Sequence, residues 1–215
     1  MKFLKLTLLI FYLVTSSCNN HSEDKFENYY EIIDDFIRMQ IVDTSRIIEL
    51  DLIKVAQDSF DYDKWRDNNN CLTSPLPPPL RPIGVVSISK DLLRSYNLKG
   101  LIDKGDIDYM YNQITSFKDS LLNPNKINGK TIQASTLDSI RQFSPPYDFF
   151  IVLEKTYKAH ALIKFSNPII SLDHKTMLFD MELYCGGECG MGIRYILRKE
   201  NNKWRIKYQK RTWIS

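Results

Sequence analysis

Glycine, histidine and cysteine are scarce in this chain of 215 residues, which holds eight, three and four of them. The histidines, His21, His160 and His174, are scattered, so the H-E-x-x-H spacing of a zinc hydrolase is absent. No C-x-x-C pair occurs, which removes zinc ribbons and thioredoxin-type sites. No G-x-S-x-G elbow presents a nucleophilic serine, and no glycine-rich loop ends in the Lys-Ser/Thr of a phosphate cradle. No apolar run reaches the roughly 20 residues that a spanning helix needs. These gaps leave no metal, nucleotide or cofactor signature, and neither a metal nor a cofactor is expected.

What is present begins with an export signal over residues 1–17. Lys2 and Lys5 precede an apolar stretch at residues 6–14, and Thr15, Ser16 and Ser17 supply small residues before Cys18. The arrangement resembles the lipobox of bacterial lipoproteins, whose cysteine is acylated and becomes the new N-terminus. Thr15 stands where that motif carries leucine, and simple cleavage after Ser17 satisfies the same small-residue rule. Residues 18–25 then read as a polar tether. Several acyl chains, at about 0.8 kcal/mol per buried methylene, hold a protein to a bilayer firmly. The expectation is a lipoprotein anchored through Cys18 in the cell envelope, at the outer membrane or a periplasmic face.

Residues 26–215 read as one domain. Hydrophobic residues at 43% and aromatics at 12% mark a chain that folds. Without Lys2 and Lys5 the basic residues number 27 against 26 acids, so the exported chain carries +1. That balance offers no global attraction for nucleic acid, and no nucleic-acid partner is expected. Cys71, Cys185 and Cys189 remain after Cys18, an odd number in a compartment that permits disulfides. Cys185 with Cys189 is the favoured pair, because glycines around both allow a sharp reversal. Cys71 is then a free thiol, although its pairing with either loop cysteine stays open.

Phe26, Tyr29, Tyr30, Ile33, Phe36 and Ile37 recur at helical spacing. Residues 47–55 fit strand or helix, 58–70 a loop, 75–82 an extended Pro-rich connection, and 84–89 a strand. Ile107, Met110, Tyr111, Ile114, Phe117 and Leu121 form a second helical stripe, with Asp106 as N-cap and Asn123-Pro124 as the stop. A short helix is predicted over 136–143. Strands are predicted over 149–154, 159–165 and 193–198, with alternation through Met177, Phe179, Met181 and Leu183 and again through Trp204, Ile206 and Tyr208. Turns fall at Asp173-His174-Lys175 and Asn201-Asn202. The class is α+β, N-terminal helices followed by a C-terminal antiparallel β-meander.

The C-terminal stretch carries Ser166-Asn167-Pro168-Ile169-Ile170, a loop from Cys185 to Gly192, Lys199-Glu200-Asn201-Asn202-Lys203-Trp204 and a closing Trp213-Ile214-Ser215. It resembles uncharacterised lipoproteins and secreted proteins of Bacteroidetes-type bacteria, with their C-G-G-x-C-G-x-G loop, K-W turn and terminal W-I-S. Glu188 departs from the leucine usual there. The resemblance implies location and fold, and brings no catalytic residues with it.

Chemistry candidates are few. Cys185 and Cys189, at C-x-x-x-C spacing between strands, read as a structural staple rather than a redox pair. Asp58, Asp61 and Asp63, and Asp103, Asp106 and Asp108, lack the D-x-D-x-D-G order of a calcium loop. His160 falls in a strand pattern, where a structural histidine is expected. The expected function is a non-catalytic binding or structural module with an envelope protein partner. The alternatives are an exported carboxylate-dependent hydrolase, with no particular acid singled out, and a thiol–disulfide protein using Cys185 and Cys189.

Overall fold

A computed structural model describes residues 21–39, 41, 45–57, 85–117, 120–143, 149–186 and 189–214. The signal, Cys18, Cys71, the acidic cluster at Asp58, Asp61 and Asp63 and the Pro-rich connection at 75–82 lie outside the described residues.

Helix α1 (His21–Arg38) opens the fold. Its backbone is already helical at His21, within the stretch expected to be tether. Strands β1 (Arg46–Glu49) and β2 (Lys54–Gln57) follow, dividing the stretch that reads ambiguously as strand or helix. Then come β3 (Val85–Ile88), α2 (Lys90–Leu98), α3 (Asp106–Ser116), β4 (Lys130–Ile132) and α4 (Ala134–Phe143). Helix α5 (Phe149–Tyr157) leads into β5 (Ala161–Phe165), β6 (Ile169–Ile170), β7 (Thr176–Tyr184), β8 (Gly190–Glu200) and β9 (Lys203–Ile214).

The main sheet runs β4-β1-β5-β7-β8-β9, with β6 also on β7, and β2 pairs β3 in a separate two-stranded sheet. From β5 onward the main-sheet strands form the expected antiparallel meander, so the fold is α+β. The other half is parallel: β1 lies between β4 and β5. Such pairings join segments far apart in sequence and have no local signature.

Side-chain alternation along β7 divides the core. Met177, Phe179 and Met181 face α1, where Tyr29, Ile33 and Phe36 meet Tyr195, Leu197 and Trp204. The Tyr29 and Phe179 rings cross at 5.3 Å, and Phe36 meets Tyr195 at 5.0 Å. Behind the sheet, α2 and α3 cover Ile169, Leu178 and Ile196, while α4 and α5 cover Ile47 and Leu162. The β8–β9 turn places Asn201 at φ 50° and Asn202 at φ 58°, the left-handed pair that a two-residue hairpin demands.

Four local expectations are corrected. Residues 149–154 are helical: Phe149 and Leu153, one turn apart, pack with Leu137 on the sheet, and a short apolar run does not distinguish helix from strand. Gly105, not Asp106, is the α3 N-cap; the buried Asp106 carboxylate accepts from the Leu172 backbone N–H at 2.9 Å. Helix α3 stops at Ser116, and Asn123 instead caps a 3-10 turn at Pro124–Lys126. His160 directly precedes β5 instead of lying within it, with an exposed side chain 3.5 Å from Glu154.

The buried Asp180 carboxylate takes two hydrogen bonds from Arg194, Nε to Oδ1 at 2.7 Å and Nη2 to Oδ2 at 2.9 Å. Removing one partner leaves an uncompensated buried charge. Asp180→Ala is expected to cost about 3–5 kcal/mol in urea unfolding, and the paired Asp180→Leu, Arg194→Met variant far less. Equal losses in both would contradict this assignment.

Candidate functional site

Just beyond that ion pair, cross-strand registers align a polar row over the sheet face that α4 and α5 partly cover. Lys164 stands opposite Glu182, Glu182 opposite Gly192, and Gly192 opposite Trp213. On the far side of β5, Lys164 Nζ meets Glu49 Oε1 of β1 at 2.9 Å. Five strands apart in the chain thus contribute to one line.

Gly192 is what lets the row close. A Cβ there would collide with the Trp213 indole and the Thr212 hydroxyl. Without it, the indole lies against β8 and donates Nε1–H to Glu182 Oε1 at 3.2 Å. The Tyr184 hydroxyl donates to Glu182 Oε2 at 2.6 Å, and the Tyr184 and Trp213 rings lie 5.5 Å apart. Both Glu182 oxygens are therefore held. Burial, together with the Glu182 carboxylate, keeps the Tyr184 hydroxyl well above the usual tyrosine range. It acts as a fixed donor.

Glu49 differs. The residue is 3% exposed, and its Oε2 has no hydrogen-bond partner among the described residues. Burial raises its carboxyl pKa, against the opposing pull of Lys164 and Arg141. A buried acid with a raised pKa beside a lysine is suited to proton transfer. Nothing in the local sequence of β1 singles Glu49 out, because Lys164 reaches it only through sheet pairing.

The cysteines stand at the end of the same hairpin. Cys185 and Cys189 form a disulfide with Cα atoms 5.1 Å apart, and Cys185 N–H donates to the Cys189 carbonyl at 2.9 Å. The bond closes the β7–β8 turn. Gly186, at φ 94°, provides the left-handed turn and packs on Phe150 of α5.

The remaining candidates do not converge. Asp108 pairs with Lys90 at 2.5 Å, Asp103 lies 3.9 Å from Arg198, and Asp106 is bonded to the Leu172 N–H. His174 sits in the β6–β7 turn at φ 58°. Among the described residues no group of three or more His, Cys, Asp or Glu is placed to hold a metal ion. Also among them, no helix is long and apolar enough to cross a membrane. No family model matches the chain, and no curated protein or solved structure matches it.

Two measurements follow. With its pKa raised, Glu49 binds its proton more tightly in the folded than in the unfolded chain. Its contribution therefore weakens stability as pH rises from the ordinary glutamate value of 4.5 through the raised one. Glu49→Gln is expected to flatten that decline in a series of urea midpoints against pH; an unchanged slope would assign it elsewhere. Replacing Cys185 and Cys189 together by serine is expected to cost about 2 kcal/mol, the loop-entropy value for so short a span, with the far-UV spectrum retained.

Proposed function

We propose that the chain is an exported lipoprotein, fastened to a cell-envelope membrane by acyl chains on Cys18, and that its domain is a non-catalytic binding module for an envelope protein. Support for export and lipid comes from the Lys2/Lys5 start, the apolar stretch at 6–14 and the small residues before Cys18. The C-terminal likeness to Bacteroidetes-type lipoproteins points the same way. The non-catalytic part rests on one observation: both Glu182 oxygens are occupied by this chain's own Tyr184 and Trp213. Those two donors fix the carboxylate within the sheet's own hydrogen-bond network, as a structural acid is fixed.

The carboxylate-hydrolase reading keeps one supporting observation, the unpartnered Glu49 Oε2 with its raised pKa. It would make Glu49 a general acid with Lys164 beside it.

Cells fed labelled palmitate test the anchor. Label is expected in the intact chain and absent from Cys18→Ala; an unlabelled intact chain, or a labelled variant, would reject it.

A further inference from the structure

The two edges of the main sheet are unlike. β4 is three residues long, too short to template another strand. β9 is twelve residues long, and among the described residues it pairs only with β8. Its outward backbone donors and acceptors have no strand partner there. The exposed side chains along it are of one sign: Lys203, Arg205, Lys207, Lys210 and Arg211, with no acid in the strand.

Edge lysines commonly serve to repel other strands. The charges on β9 go further than that. Arg205 stands directly opposite Arg198 and Lys210 directly opposite Arg194, and like charges across a pair weaken a sheet. Arg194 is neutralised by Asp180, whereas Arg198 lies 3.9 Å from Asp103 and within electrostatic range of Asp173. Of the β9 cations Lys207 has its own counter-ion, Glu200, at 2.7 Å. Lys99 adds to the surface, its Nζ 5.4 Å from the Tyr208 ring centroid. Positive charge is thus concentrated along a ladder that is open among the described residues, at the expense of the sheet itself.

We propose that β9 is a docking edge that takes up an extended acidic segment of a partner protein as an added strand. Main-chain hydrogen bonds would supply affinity, as in other strand-addition complexes, and carboxylates facing Lys203 and Arg205 on one stretch of β9, or Lys210 on the other, would supply selection. Register shifts interrupt β9 between the pairs at Gly192/Ile193 and Ile196/Leu197. The added strand therefore lies along Tyr208, Gln209, Lys210 and Arg211, or along Lys203, Trp204, Arg205 and Ile206. A second copy of this chain is a poor occupant, since β9 against β9 sets cation on cation. The inference is independent of the lipid anchor and of the Glu49 row.

The test uses the full chain carrying Cys18→Ala, so that no acyl group contributes. A fluorescent peptide alternating glutamate with valine and threonine is expected to raise anisotropy on titration, and added salt to weaken the binding. Arg205→Glu with Lys210→Glu is expected to weaken it by roughly tenfold or more. Arg205→Glu alone also removes the clash with Arg198, so its melting temperature is expected to hold or rise, which separates lost binding from lost folding. The same peptide N-methylated at alternate residues keeps its charge but loses ladder donors, and is expected not to bind. Equal binding of the methylated peptide would overturn strand addition. So would binding to phosphatidylglycerol vesicles, or self-association through β9, with no peptide binding.

Discussion

The bidentate bond between Arg194 and Asp180 ties β8 to β7 at a single register, and every feature of functional interest sits downstream of that tie. A shift of one residue would turn Phe179 toward α2 and α3 and Asp180 into the aromatic core under α1. The same register places Glu182 opposite Gly192, two residues further on, and so brings Trp213 within reach of Glu182. Apolar packing would hold the layers together without an ion pair. The charged pair selects one alignment among several with similar burial.

A short glycine motif and a distant tryptophan are therefore one device. The loop with its two cysteines shapes the turn, but the last glycine of the motif, Gly192, serves a different end: it leaves room for an indole from β9. That accounts physically for finding the glycine and Trp213 together, although 21 residues separate them in the chain. The disulfide holds the hairpin end from which Tyr184 reaches the same carboxylate.

Much of the fold could be read from residue patterns. The period-two alternation of residues 177–184, the Asn201-Asn202 turn and the helical stripe of Tyr29, Tyr30, Ile33 and Phe36 all depend on neighbours close in sequence, and all are present. What escaped was non-local. Phe149–Tyr157 is helical because Leu137 and Leu162 receive its apolar side, and Asp106 bonds a backbone amide 66 residues away. The Glu49–Lys164–Glu182 line escaped for the same reason, since each acid is ordinary within its own strand. The cysteine pair was legible because its geometry is confined to a single turn.

Strand β1 lies near the start of the domain, yet its flanking partners are β4 and β5, which follow about eighty and over a hundred residues later. A nascent chain that has not yet delivered residues 161–165 has nowhere to bury Ile47 and Ile48 from both sides. Completion of the sheet must therefore wait for the last quarter of synthesis.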